Sequence, residues 1–242
     1  MPKFSIITVT YQDQKNLEAT VKSISDQKYP DKEFIVIDGG STDGTIELVR
    51  EYASLVTHFI SEPDKGIYDA MNKGIKIASG KWLVFMNAGD VFASATVLSE
   101  IGRSDFSQYA LLYGSTVRQR GVVTPAMDPA KSLPLGFIMA CHQSMFFNRN
   151  LLGNELYYNL DFALSGDYDL VSRIYNNQYK IHNIELPISN FLGNGKTTKR
   201  TMETRVGRYR AIVQNFGIKA LITSIVSRSL GNRYPVDQQV KK

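Results

Sequence analysis

Residues 33–45, EFIVIDGGSTDGT, place a short apolar run directly before a run of small polar residues. The apolar part, Glu33 to Asp38, is typical of a buried strand. Two glycines then permit a tight turn, and Ser41, Thr42 and Asp43 are residue types that cap a following helix. This stretch therefore predicts a strand that turns directly into a helix.

The same strand-then-helix unit is repeated on both sides of this stretch. Strands are predicted at Phe4–Thr10, Glu33–Asp38, Thr57–Ser61 and Lys81–Met86, and helices at Lys15–Gln27, Thr45–Tyr52 and Ile67–Ala78. This alternation indicates an α/β fold with a mostly parallel, Rossmann-like sheet flanked by helices. Ligands of such sheets bind beyond the carboxyl ends of the strands, where the polar segments Asp38–Gly44 and Asn87–Asp90 lie.

Composition is compatible with one ordinary domain plus an appended segment, since the chain has 242 residues, of which 43% are hydrophobic. A lone cysteine, Cys141, excludes an internal disulfide and a cysteine metal cluster, which fits a reducing compartment. The first residues resemble a strand rather than a signal peptide, and no window is apolar enough to span a membrane. We therefore expect a cytoplasmic protein, either soluble or peripheral.

Charge is distributed unevenly along the chain. Residues 196–242 carry eleven Lys or Arg against two acids, a net +9, so the total of +5 leaves −4 for residues 1–195. The polar segment Gly193–Thr201 is the predicted boundary, and Asn215 to Leu230 is predicted to form an amphipathic helix. Residues 199–242 either pack on the body or bind an anionic membrane surface. No nucleic-acid recognition module is present, so we expect no nucleic-acid partner.

Three polar segments carry the candidate chemistry. Asp38 is placed to accept hydrogen bonds from a nucleobase imide or a ribose, yet its loop has neither GxGxxG nor a P-loop lysine. In residues 62–74, EPDKGIYDAMNKG, a turn leads into a helix that carries Asp69 and Asn72 on one face. Asp90, in the NAGD loop, is a suitable oxygen ligand for a hard divalent cation, or alternatively a helix cap.

Taken together, these segments resemble family 2 glycosyltransferases, and the resemblance covers roughly residues 3–195. It rests on TVTYQ at 8–12, DGGSTDGT at 38–45, EPDKGIYDAMNKGI at 62–75 and the acidic loop at 87–90. The family implies a GT-A fold, with residues 1–100 as the nucleotide-sugar half and 101–195 as the acceptor and catalytic half, followed by a basic helical extension at 196–242. It also implies inverting transfer of one sugar from a nucleotide-diphosphate sugar, UDP favoured, to a glycan acceptor. We expect a lipid-linked acceptor for bacterial surface polysaccharide, at the inner face of the cytoplasmic membrane.

The resemblance also assigns roles to individual residues. Nucleotide contacts are carried over to Thr8, Thr10, Tyr11, Asp38, Lys65, Asn72 and Asn87. The fourth strand of the family normally ends in D-x-D, but here Asn87 and Gly89 replace the usual carboxylates. Asp90 is thus the expected ligand for Mg²⁺ or Mn²⁺, in a weaker site that depends on the phosphates of the substrate.

The second half supplies the expected catalytic base. Asp167, in the segment SGDYD, occupies the position of the base, with Gly166 where the family usually has a first acid. A helix-capping carboxylate is the alternative interpretation of Asp167. His142 and Gln143 are assigned to sugar or acceptor contacts, and Lys196 to the diphosphate.

Two other functions are considered. A sugar nucleotidyltransferase uses a related fold, but its glycine-rich basic N-terminal loop is missing. A catalytically inactive, nucleotide-sugar-binding relative is suggested by Asn87 and Gly89. A processive synthase is disfavoured because the chain lacks a cluster of membrane helices and a Q-x-x-R-W segment.

Overall fold

The computed structural model describes residues 3–118, 121–191 and 202–229. Its strands are β1 Phe4–Thr10, β2 Lys32–Asp38, β3 His58–Ser61, β4 Trp82–Phe85, β5 Asp90–Phe92, β6 Leu111–Arg118, β7 Val123–Thr124, β8 Met145–Asn148 and β9 Ile181–Phe191. Its α-helices are α1 Gln14–Ser25, α2 Thr45–Glu51, α3 Ile67–Ile77, α4 Val97–Gly102, α5 Pro129–Ser132, α6 Arg149–Leu152, α7 Gly166–Asn176 and α8 Met202–Ser229. Short 3₁₀ turns at Leu133–Leu135, His142–Ser144, Gly153–Leu156 and Leu160–Ser165 connect several of them.

The described strands form a single sheet in the order β3-β2-β1-β4-β8-β6-β9-β5, with β7 paired to β6. The strands β3, β2, β1 and β4 are parallel to one another, as the alternating pattern predicts. Antiparallel pairing begins where β8 joins β4. The sheet is therefore a Rossmann-like half with an irregular second half, in which β6 and β9 pair in parallel around a bulge.

Two layers of apolar side chains cover the sheet. One layer contains residues from α3, α7 and α8, and the other contains residues from α1, α2 and α4. Each of the strands β1, β2 and β4 contributes to both layers, because a strand covered on both faces reads as a continuous apolar run. This burial fixes the polar loops at the carboxyl ends of these strands.

Helix α8 is longer than the predicted helix over Asn215–Leu230 and is kinked at Gly217, where φ is 81° and ψ is 173°. Its first part packs on the body, since Ala211 and Ile212 are fully buried in the core. The predicted boundary at residue 195 lies outside the described residues. None of the described helices combines the length and the apolar character that a membrane span requires.

Candidate active site

The carboxyl ends of β1, β2 and β4 lie next to each other at one edge of the sheet. Thr10 pairs with Asp38 across β1 and β2, and the Ala88 amide after β4 donates to the Val9 carbonyl at 3.3 Å. The structure thus brings together three of the polar segments that the sequence singles out.

Asp38 is fully buried, and its carboxylate holds the glycine loop in shape. Its Oδ2 accepts hydrogen bonds from the Gly40 amide at 3.1 Å, the Ser41 amide at 2.9 Å and the Ser61 hydroxyl at 2.6 Å. The Ser41 hydroxyl donates to Oδ1. In this geometry Asp38 fixes the loop at the strand end, and its contact with a nucleobase stays a prediction.

A narrow space in front of this loop is lined by Tyr11, Gly39 and Asp64. A Cβ atom at Gly39 would lie 2.7 Å from Asp64 Oδ2 and 3.1 Å from the Tyr11 ring, so a larger residue would have to displace the Asp64 carboxylate. About half of the Tyr11 side chain is exposed. The neighbouring Thr10 hydroxyl is buried and has no hydrogen-bond partner among the described residues. These groups offer an aromatic face and a polar atom to a planar ligand.

The NAGD loop is held by a side chain that sequence reasoning missed. The Thr20 hydroxyl of α1 donates to the Asp90 carbonyl at 2.8 Å and accepts from the Gly89 amide at 2.9 Å. Gly89 itself has a φ of 93°, a left-handed conformation that favours glycine over the aspartate usual in the family. In the sequence, Thr20 is marked only as a small polar residue among the apolar residues on the buried face of α1.

Asp90 is buried behind this loop, against Gln143. The Gln143 amide donates to Asp90 Oδ1 at 3.0 Å. Loss of solvent raises the pKa of Asp90 to about 6, although the nearby His142 and the hydrogen bond from Gln143 act in the opposite direction. Asp90 is therefore ionised at neutral pH but is easily protonated in mild acid.

A chain of three polar side chains crosses the site from β4 to α7. Asn87 Nδ2 lies 3.0 Å from His142 Nε2, and His142 Nδ1 lies 3.5 Å from Asp167 Oδ2. Two oxygen atoms in this chain, Asn87 Oδ1 and Asp167 Oδ1, are buried without a hydrogen-bond partner among the described residues. Buried polar atoms are normally paired, so Asn87 Oδ1 is available to a ligand, and the Asp167 carboxylate shares its surroundings with the Tyr158 hydroxyl.

Aromatic side chains enclose Asp167. The Tyr68 and Tyr158 rings stack at a centroid distance of 4.8 Å, and the Asp167 amide donates to the Tyr68 hydroxyl at 3.3 Å. Burial first, and the Asp167 charge second, hold the pKa of both tyrosines well above the usual value. Both hydroxyls therefore stay protonated beside the carboxylate.

This packing explains the glycine that precedes Asp167. A Cβ atom at Gly166 would lie 2.7 Å from the Tyr68 ring, so the first acid of the usual family pair has no room here. Tyr68 and Tyr158 were not predicted as site residues. Tyr68 belongs to the apolar stripe of α3, which sequence reasoning assigns to the core.

Other predicted site residues lie apart from this cluster or hold the fold. The buried Thr8 hydroxyl donates to the Met86 carbonyl, and the Asn72 amide bonds with the backbone of Tyr158 through both its oxygen and its nitrogen. Lys65 is exposed at the start of α3. Lys196 lies outside the described residues.

The donor set around Asp90 suits a divalent cation only in part. Among residues 3–118, 121–191 and 202–229, no three His, Cys, Asp or Glu side chains form a metal-binding group. Asp90 is the single carboxylate of the loop, and Asn87 Oδ1 is an unpaired neutral oxygen nearby. A cation here would be held chiefly by the phosphates of a donor, with Asp90 as its protein ligand.

Comparison with known proteins identifies the family. The family model for "Glycosyl transferase family 2" matches residues 5–166. A PGL/p-HBAD biosynthesis glycosyltransferase of Mycobacterium tuberculosis is 33% identical over 185 residues, which cover 73% of this chain and 71% of that protein. A putative teichuronic acid biosynthesis glycosyltransferase, TuaG of Bacillus subtilis, is 33% identical over 92 residues, covering 37% of this chain and 36% of that protein.

Solved structures share the fold. Residues 1–349 of S. aureus TarS, in complex with UDP-GlcNAc, match with a TM-score of 0.74 at 16% identity, over 95% of this chain and 73% of that one. The chain spans only 44% of the longer TarS structure. The mannosyltransferase PcManGT of Pyrobaculum calidifontis, with GDP-Man and Mn²⁺, matches with a TM-score of 0.65 at 16% identity, over 99% of this chain and 78% of that one. The chain belongs to glycosyltransferase family 2 and is a glycosyltransferase of the GT-A fold.

Proposed function

We propose that this enzyme transfers a single sugar, with inversion, from a nucleotide-diphosphate sugar to a glycan acceptor, and that Asp167 is the catalytic base. The observation that carries the proposal is the Asp167 carboxylate, whose Oδ2 lies 3.5 Å from His142 Nδ1 beside the strand-end loops and whose buried Oδ1 makes no hydrogen bond that satisfies normal geometry among the described residues. A carboxylate with such an oxygen can receive a proton from a substrate.

The chemistry requires such a group. The acceptor hydroxyl attacks the anomeric carbon, the bond from that carbon to the diphosphate breaks, and the hydroxyl proton passes to Asp167 Oδ1. One displacement of this kind inverts the anomeric configuration. Tyr68 and Tyr158 exclude water from one side of the carboxylate, because their stacked rings cover it.

The donor side is assigned to the strand-end loops. Tyr11 and Thr10 face a nucleobase, and the unpaired Asn87 Oδ1 accepts from a ribose hydroxyl. UDP is the favoured nucleotide, supported by the TarS complex, although PcManGT was solved with GDP-Man. The fold family generally uses a divalent cation, which would neutralise the departing diphosphate, and here Asp90 would hold it.

The acceptor is proposed to be lipid-linked, in the synthesis of a bacterial surface polysaccharide. The names of the similar proteins, for PGL/p-HBAD and teichuronic acid biosynthesis, support a glycan product. A lipid-linked acceptor requires an enzyme that works at the inner face of the cytoplasmic membrane.

The second part of α8 supports a peripheral attachment to that membrane. Its inner face packs on the body, where the Ser224 hydroxyl donates to the Leu135 carbonyl at 2.8 Å. The opposite face presents a row of aliphatic side chains to solvent: Ile218, Ile222, Ile225 and Val226. This row, the α8 stripe, is flanked by the exposed Lys219 and precedes a basic C-terminus.

Donor turnover with an Asp167→Asn variant tests the catalytic assignment. The amide keeps the size of the side chain but accepts no proton, so turnover should fall roughly 10²- to 10⁴-fold. Release of nucleoside diphosphate from UDP-GlcNAc, UDP-glucose and GDP-mannose would be measured with Mg²⁺ or Mn²⁺. The exposed Asp161, in the turn before α7, gives a matched Asp161→Asn control that should keep full activity.

Two outcomes would contradict the proposal. Equal, slow hydrolysis by the wild type and Asp167→Asn would remove Asp167 from the chemistry. Tight donor binding without any turnover by the wild type would indicate a nucleotide-sugar-binding protein instead.

A further inference from the structure

His142 lies at the centre of the site, with one ring nitrogen hydrogen-bonded to Asn87 and the other close to Asp167. Nε2 lies 3.0 Å from the Asn87 amide nitrogen, and Nδ1 lies 3.5 Å from Asp167 Oδ2. The residue lies in a 3₁₀ turn directly before β8, and its neighbour Gln143 bonds to Asp90. One short turn therefore links the NAGD loop to the start of α7.

The Asn87 contact decides which nitrogen of the ring carries the proton. With the Asn87 amide nitrogen toward the ring, Nε2 accepts a hydrogen bond, and a neutral imidazole then carries its proton on Nδ1. That proton faces Asp167 Oδ2. A carboxylate at position 87, which is usual in the family, would instead accept from Nε2 and compete with Asp167 for the ring.

We propose that His142 is a positioning residue, which fixes Asp167 through Nδ1 and leaves Asp167 Oδ1 to receive the proton of the acceptor. The inference rests on the proposed function of Asp167. His142 keeps its own proton throughout, because the acceptor proton moves to Oδ1 while His142 contacts Oδ2. Asn87 in turn fixes the tautomer, which gives a reason for the amide at this position.

Packing leaves His142 as the ionisable partner of the carboxylate. The Asp167 amide is tied to the Tyr68 hydroxyl, the Tyr158 hydroxyl lies beside the carboxylate, and His142 Nδ1 lies 3.5 Å from Oδ2. Without His142 the carboxylate loses its contact on the Oδ2 side and keeps only the tyrosine on the other. Displacement of a reacting group by about 1 Å costs on the order of 100-fold in rate.

Two variants, each with an amide at the position of one ring nitrogen, separate the two contacts of the ring. The amide of His142→Asn occupies the position of Nδ1, so it still donates to Asp167 but loses Asn87. The amide of His142→Gln occupies the position of Nε2, so it keeps Asn87 but loses Asp167. We expect kcat to fall roughly 10- to 100-fold in His142→Gln and several-fold less in His142→Asn. The KM for the donor should change less than about threefold in both.

The measurements are kcat and the donor KM from release of nucleoside diphosphate, together with the melting temperature of each variant. If kcat and the melting temperature fall together, and to the same extent in both variants, His142 has only a structural role and the inference is overturned. A donor KM raised tenfold in both would show a contact with the donor and would also overturn it.

The same assay distinguishes failure of this inference from failure of the proposed function. If Asp167→Asn abolishes turnover while His142→Gln turns over like the wild type, Asp167 is the base and His142 does not position it. If the wild type releases no nucleoside diphosphate from any donor, the proposed function itself fails.

Discussion

Asp90 shows at the scale of one residue how a buried carboxylate opposes stability. Its pKa in the folded protein, about 6, lies above the value of 3.8 for the free side chain. The folded state therefore binds this proton more tightly than the unfolded state. The resulting stability is fully present below about pH 4 and is lost as the pH rises through about 6.

An Asp90→Asn variant should consequently be more stable than the wild type at neutral pH. The difference in pKa corresponds to an upper limit of about 3 kcal/mol, so we expect the free energy of unfolding to rise by roughly 1–3 kcal/mol at pH 7. At pH 4 the gain should vanish, because the wild-type carboxyl is then protonated. Urea denaturation at both pH values measures this, with Asp161→Asn as an exposed control. The prediction is contradicted if the gain of Asp90→Asn over the wild type is no larger at pH 7 than at pH 4.

Polar residues of the site were easier to predict than its aromatic residues. Asp90 was singled out because a carboxylate directly after a strand is conspicuous in a sequence, and Asn87 and Asp167 because they match positions of the family motifs. Tyr68 and Tyr158 were not, because a tyrosine at a helical or loop position carries no mark of its tertiary neighbours. Their stacking depends on packing between segments ninety residues apart.

The elements of the first half follow from their sequence because local pattern and tertiary environment agree there. Continuous apolar runs give β1, β2 and β4, and small polar residues end each of them. In contrast, β9 was missed. Its sequence contains Pro187 and shows neither alternating polar and apolar residues nor a continuous apolar run, and its backbone is irregular at Glu185, where φ is 51°. The first part of α8 lies within the basic helical extension that the resemblance implies, whereas apolar periodicity predicts a helix only over Asn215–Leu230.

The contact between α8 and the turn at Leu160–Ser165 can be tested at Gly207. A Cβ atom at this position would lie 2.9 Å from the Phe162 carbonyl oxygen, so the helix must move to accept it. Overpacking costs about 1–3 kcal/mol, and a clash with a backbone carbonyl belongs in the upper part of this range, about 2–3 kcal/mol. Alanine in place of glycine adds roughly 1 kcal/mol to a helix, so we expect Gly207→Ala to lower the free energy of unfolding by about 1–2 kcal/mol.

Phe162 lies in the turn that leads directly into α7 and Asp167. A shift at this contact should therefore also lower kcat. Chemical denaturation and donor turnover measure the two effects, and Val213→Ala, at an exposed position of the same helix, should change stability by less than about 0.5 kcal/mol. A Gly207→Ala protein as stable as the wild type would show that α8 sits loosely on the body.

At the scale of the whole molecule, the distribution of charge and apolar surface predicts the membrane partner. Residues 218–242 contain five Lys or Arg and one Asp, and the α8 stripe is 45–60% exposed. Each basic residue close to an anionic surface contributes on the order of 1 kcal/mol, and buried aliphatic side chains add to it. The protein should therefore bind vesicles that contain phosphatidylglycerol, should bind neutral phosphatidylcholine vesicles far less, and should dissociate as salt is added.

A paired substitution tests whether the α8 stripe makes this contact. Ile222→Asp with Ile225→Asp removes two aliphatic side chains and adds two negative charges, so vesicle binding in a sedimentation assay should fall more than tenfold. Val122→Asp with Val123→Asp is the matched control, since both valines are exposed aliphatics at or beside β7, which is a different element from α8. Donor hydrolysis in solution should be unchanged in both double variants, because neither surface belongs to the site. If the stripe variant still binds vesicles but converts a dimer to a monomer, the stripe covers a second copy of the chain instead of a membrane.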